Sequence, residues 1–131
     1  MNVIRGAIRY PVTTAVCVIL LTMFQAANGI AQAWTGVGLG GSTAVTTPAG
    51  GGPEDFENPD GIAVPRIRGT GIFGDPNDLA MALLLVVPFL LTAMLDAGHG
   101  MLRRLLALAM IGVLVYAISL THSRGGFVGL A

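Results

Sequence analysis

Three uncharged apolar stretches constrain this chain more than any other feature of its sequence. The first covers residues 11–24 and continues through Gln25, Asn28 and Gln32 to Trp34; the second covers 79–95 and the third 105–120. A helical stretch of about 17 residues is about 26 Å long at the usual rise. With its flanking residues it reaches the thickness of a bilayer core, about 30 Å. None of the three shows a single polar face, as expected for helices surrounded by lipid or by one another. Of the 131 residues, 53% are hydrophobic and only 11% charged, and the mean hydropathy is +0.75. A soluble domain carries about 25% charged residues. The expected fold class is therefore all-α transmembrane, with two or three membrane-spanning helices and a Gly/Pro-rich outer loop. The expected divisions are a first transmembrane helix over 1–34, an outer loop over 35–77 and a transmembrane helical hairpin over 78–131.

Within the first stretch, Gln25, Asn28 and Gln32 recur at helical spacing. They are costly against lipid, so this face is expected to pack on a partner helix. Arg5 and Arg9 before an apolar core, together with Ala31-Gln32-Ala33, also fit a cleaved signal sequence. Two spans would then remain in place of three. Pro88, in the middle of the second stretch, frees a carbonyl and predicts a kink of a kind that membrane helices tolerate. The single Cys17 has no intrachain disulfide partner and reads as a small apolar-layer residue.

Arginine placement sets the expected orientation. Arg5 and Arg9 flank the first span, and Arg103 and Arg104 flank the short turn between the second and third. The positive-inside rule puts both groups in the cytoplasm, so residues 35–77 and the tail from Thr121 are expected to face outward. Gly, Pro, Ser and Thr dominate the first half of that loop, which predicts flexibility. Acidic residues follow (Glu54, Asp55, Glu57, Asp60). A net charge of zero gives no reason to expect nucleic acid as a partner. The glycine run at 36–41 follows no strand and opens no helix, so it is no nucleotide fingerprint. No motif for a cofactor and no metal-ligand cluster appears.

Two segments on the outward side carry chemical information. The first, residues 66–80, contains Arg66, Arg68, Gly71, Phe73 and then Asp75-Pro76-Asn77-Asp78. Asp75 is suited to the N-cap of the second span and Pro76 to its first helical position. The second is Thr121-His122-Ser123-Arg124-Gly125-Gly126, where the third span ends. Arginines at an outer boundary run against the positive-inside bias, and the guanidinium fork matches phosphate oxygens in bidentate fashion.

An R-x-x-G-x-F-x-x-P-N approach to one span and an S-R-G-G exit from the next resemble the O-antigen ligase and O-antigen polymerase family of bacterial envelope glycan transferases. Residues 66–131, half the chain, carry the resemblance. It implies an inner (cytoplasmic) membrane protein with a cytoplasmic N-terminus. The implied ligand is a polyprenyl-diphosphate-linked glycan that would be passed to an acceptor hydroxyl. Arg68 and Arg124 would hold the lipid diphosphate, with Arg66 as second choice and Asn77 beside them. Family members have more spans and a later outer loop whose histidine acts as general base; this sequence stops after S-R-G-G, and His122 and His99 do not take that place. The expectation is a partial ligase-like protein, not catalytic alone, with the lipid bilayer and other transmembrane helices as partners. The alternative is an accessory subunit that packs helices in a larger membrane complex.

Orientation is testable with Cys17 replaced and single cysteines introduced at Ser42 and Gly100. An impermeant thiol reagent applied to intact cells is expected to label Ser42→Cys and spare Gly100→Cys. The reverse pattern would invert the topology.

Overall fold

The computed structural model describes residues 2–48, 63–96, 98 and 100–131; residues 2–12, 47–48 and 63–64 are described as backbone alone. The acidic run at 54–60 and His99 lie outside the described residues. Four helices and one two-stranded ribbon make up the rest. Helix α1 is Asn2–Thr35, strand β1 Val45–Pro48, strand β2 Ala63–Arg66, helix α2 Pro76–Leu95, helix α3 Met101–Leu120 and helix α4 Arg124–Leu130. Thr13–Thr35 within α1, Pro76–Leu95 and Met101–Leu120 are each long and apolar enough to cross a membrane. The chain is a multi-pass membrane protein of all-α transmembrane type.

Helices α2 and α3 form the hairpin that the sequence leads one to expect. Leu79, Leu83, Val86 and Leu90 line one stripe of α2 at spacings of three and four, and all are buried against Leu114, Ala117 and Ile118 of α3 and Ala26 of α1. Leu21, Leu85, Leu95 and Leu106 stay exposed on the outside of the bundle, where lipid covers them. Hydrocarbon gives no hydrophobic drive to associate, so close packing of that stripe holds the pair. Helix α2 continues unbroken through Pro88, whose ring lies on the exposed face. At the turn, the Arg104 guanidinium donates two hydrogen bonds to the Asp96 carbonyl, closing the end of α2.

Helix α1 is longer than its neighbours. Its 34 residues extend about 51 Å, against about 30 Å for each 20-residue partner. Gln25 borders the same groove as Asp78 in the first turn of α2. Ile67, packed on Gly29, takes the Leu120 carbonyl at the end of α3 through its backbone N–H at 3.2 Å. The last turns of α1 therefore lie beside the start of α2 and the end of α3 and turn their polar face to the loop.

That face receives the chain's own loop, where the sequence predicts a partner helix. Gln32 is 1% exposed and makes three bonds. Its amide nitrogen donates to the Arg68 carbonyl and the Ser42 hydroxyl, both at 2.8 Å, and its oxygen accepts from the Arg68 N–H. Asn28 Oδ1 accepts the Leu39 N–H at 2.6 Å, while its Nδ2 has no partner among the described residues. Gln25 pairs with the Thr70 hydroxyl and N–H. Gly38 sits so close over Asn28 and Gln32 that a Cβ would come within 2.6 Å of Gln32 Cγ.

The expected flexible first half of the loop is folded where it is described. A 3-10 turn at Leu39–Gly41 leads into β1, which pairs antiparallel with β2 in the register Val45↔Arg66 to Pro48↔Ala63. The tail from Thr121 forms a further short helix. Ser123 Oγ accepts the Gly126 N–H and caps α4, which turns back along α2. Gly126 allows that approach, since a Cβ there would lie 3.0 Å from both Ala80 Cβ and Ile118 Cγ2.

Gln32→Leu should strand the Arg68 backbone and destabilise the protein by about 1–3 kcal/mol, the usual cost of leaving a buried polar group unpaired. Unfolding in mixed micelles of rising dodecyl sulfate fraction reads this out. Unchanged stability would mean that the loop does not depend on Gln32.

Candidate functional site: a cationic cavity at the loop end of the bundle

Strand β2 delivers Arg66 to the place where the first turn of α2 meets the α3–α4 junction. Its side chain is 7% exposed, low for a guanidinium. Nε donates to the Thr121 carbonyl at 2.6 Å and Nη2 to Asn77 Oδ1 at 2.9 Å. Both acceptors are neutral. Hydrogen bonds to carbonyls soften the desolvation of a buried cation without cancelling its charge.

Asn77 is presented by a helix start that the sequence encodes locally. Asp75 has extended backbone angles and its carboxylate accepts the Asn77 N–H at 2.6 Å, with Pro76 in the first helical position. The N-cap expectation holds in full. The Asn77 backbone is thus occupied by the cap, and its side-chain oxygen is turned to Arg66.

The third wall is the tight turn between α3 and α4. Thr121 and Ser123 are 0% and 2% exposed. The Thr121 hydroxyl donates to the Ile118 carbonyl and accepts the Ser123 N–H. His122 between them is exposed, with φ at 48°, the only non-glycine residue with positive φ among those described. A left-handed conformation costs an L-residue about 1–2 kcal/mol, so the flanking bonds hold His122 where it would not settle by itself. Arg124 follows at the start of α4 and is exposed.

These walls enclose a cavity of about 360 Å³ lined by Arg66, Asn77, Met81, His122, Ser123, Arg124 and Gly125. No acidic side chain is among the described residues that line it. Of the four residues singled out in the sequence, the cavity brings together Arg66, Asn77 and Arg124. Arg68 is not among its lining residues. Its main chain is held on the other side by Gln32, through both the N–H and the carbonyl. The pair around the cavity is therefore Arg66 with Arg124, whereas the sequence ranks Arg68 first. His122 directly precedes the S-R-G-G segment and was given no binding role in the sequence; its backbone angle could not be read there.

A larger groove of about 830 Å³ lies between α1 and α2, walled by Val18, Leu21, Phe24, Ile72 and Leu85, with Gln25, Thr70 and Asp78 at its polar end. Most of its lining residues are apolar. Met81 borders both spaces. Among the described residues, no three His, Cys, Asp or Glu side chains come together. Comparison with protein-family models, curated proteins and solved structures finds no match for this chain.

Arg66→Met should loosen the junction it ties, because Thr121 loses its donor and Asn77 its partner. Faster amide exchange at Ile67 and His122, with α1 unchanged, is the expected pattern. Unchanged protection at both amides would show that Arg66 does not hold the turn.

Proposed function

We propose that this chain is a ligase-like membrane module that holds a lipid-linked diphosphate in the cavity between Arg66 and Arg124, as the donor half of a glycan-transfer site. One observation carries the proposal: two guanidiniums border a cavity whose described walls hold no acid, and the buried one is bonded only to neutral oxygens. An anion with several oxygens answers that arrangement, since each fork can take two of them. A diphosphate on a polyprenyl chain fits both the charge and the site's position at the edge of the apolar layer.

Arg103 and Arg104 lie at the opposite end of the hairpin. Under the positive-inside rule they face the cytoplasm of a bacterial inner membrane, and the cavity then opens on the outer side. In the transfer reaction that the resemblance implies, an acceptor oxygen forms a bond to the sugar's anomeric carbon. The bond from that carbon to the diphosphate oxygen breaks, and the polyprenyl diphosphate leaves with the extra negative charge. The acceptor's proton goes to a base. Arg66 and Arg124 serve the leaving group by neutralising it; they do not deprotonate the acceptor.

The accessory-subunit reading has support of its own. Arg66 joins β2, α2 and the α3–α4 turn by two bonds, a structural task sufficient to retain it without any ligand.

Binding of farnesyl diphosphate to the protein in lipid nanodiscs separates the two readings. The intact protein should bind, and Arg124→Lys, which keeps the charge but loses the fork, should bind about tenfold to a hundredfold more weakly. That range corresponds to one charged hydrogen bond of about 1.5–3 kcal/mol. Arg103→Ala, at the other end of the hairpin, should bind as the intact protein does. No binding by the intact protein would leave the accessory subunit as the function.

A further inference from the structure

Past Arg124, helix α4 carries no polar side chain, since residues 125–131 are Gly, Gly, Phe, Val, Gly, Leu and Ala. Phe127 is 48% exposed and Val128 is 77% exposed. A helix lying in water or along a headgroup layer has a polar face opposite its apolar one, and this stretch has none. We propose that α4 is a re-entrant membrane segment that runs beside α2 into the acyl layer, with Phe127 and Val128 as its lipid-contacting face. The partner is the acyl chain of a bilayer lipid, and the inference is independent of what the cavity binds.

The contacts of α4 give its direction. The Phe127 N–H donates to the Ser123 carbonyl at 3.1 Å and the Gly126 N–H to Ser123 Oγ at 3.2 Å, so the helix begins directly after the turn that ends α3. Gly126 lies against Ala80, and Gly129 lies against Leu84, where a Cβ would overlap Cδ2. Advancing from Gly126 to Gly129 therefore advances from Ala80 to Leu84, and α4 runs the same way as α2. Counted from Pro76, the first residue of α2, these contacts lie about 6 Å and about 12 Å along the helix. Pro76–Leu95 is long and apolar enough to cross a membrane, so α4 ends well inside the length of that span. Leu130 and Leu84 both pack against the apolar core of the bundle.

Composition agrees with that course. Seven residues with three glycines make a poor helix in water, where short helices are marginal and glycine is unfavourable. In an acyl layer the backbone has no water to bond to, and helix is the conformation that satisfies it. Glycines on the side facing α2 let the two backbones approach closely, as at helix contacts in membranes, while the large apolar side chains point away from that contact.

Nitroxide labels on single cysteines, in a Cys17→Ala background and in lipid nanodiscs, test the placement. Phe127→Cys and Val128→Cys are read against Leu85→Cys on the exposed side of α2 and Ser42→Cys in the loop. Relaxation by molecular oxygen, which concentrates among acyl chains, is compared with relaxation by a water-soluble nickel chelate. The oxygen-to-nickel ratio at both α4 positions is expected to match that at Leu85→Cys and to exceed that at Ser42→Cys several-fold. Ratios at the level of Ser42→Cys would put α4 in water and overturn the proposal. Weak relaxation by both reagents would mean that protein, a second copy of the chain included, covers this face, and would overturn it as well. Neither result bears on farnesyl diphosphate binding, so the donor-site reading stands or falls separately.

Discussion

The hydrogen bonds between the polar face of α1 and the loop backbone support the rest of the molecule. A connecting segment laid on a membrane bundle must satisfy its own N–H and C=O groups wherever water is excluded. Three carboxamides do this here. Gln32 takes both backbone groups of Arg68, Asn28 takes the Leu39 N–H, and Gln25 takes the Thr70 N–H. A carboxamide offers donors and an acceptor on one short stem, so it can imitate a neighbouring strand without the strand being present. Because these bonds fix residues 67–70, β2 ends in a set place, and with it Arg66. The cationic cavity is thus a downstream result of polar residues on a different helix.

The length of α1 makes this possible. Within the bilayer, glutamine and asparagine on a lipid-facing surface would be a liability. Bonded to the loop backbone instead, the same residues become a post around which the loop can wrap. Trp34, near the top of that post, donates to the Tyr116 hydroxyl at 3.2 Å and ties α1 to α3 on the exposed side. Apolar packing between the helices and polar bonding to the loop divide the stabilising work.

Much of this was legible in residues alone, and the failures have physical causes. The spans follow from apolar length, and the start of α2 from Asp75-Pro76, because both signals are local. The polar spacing of Gln25, Asn28 and Gln32 correctly marked a packed face. It could not say what packs there, since a helix and a loop backbone offer the same hydrogen-bonding groups. The β1–β2 ribbon was missed because its strands are four residues long, contain Pro48 and Pro65, and pair only through tertiary context. Helix α4 was missed because Gly125, Gly126 and Gly129 argue against a helix; close contact with α2 overrides that weak preference. Arg66 and Arg68 look alike in sequence, and an unbroken strand would put both on one side. The strand ends at Arg66, so alternation stops there, and Gln32 fixes the course of the backbone beyond it.

The Arg66–Thr121 bond joins positions 55 residues apart, and it has a consequence for biogenesis. Spans insert in chain order, so when α1 and α2 are in place the loop can already settle on α1, but Arg66 still lacks its carbonyl acceptor. That acceptor arrives with the end of α3, and Arg124 arrives only after it. Until then the buried position of Arg66 is electrostatically unfavourable, and the segment around it has reason to stay open to water. The cavity is therefore the last part of the fold to close, and its closure reports that the third span has been threaded in the correct direction. A chain with α3 inverted would leave Arg66 without its carbonyl acceptor and carry Arg124 to the opposite end.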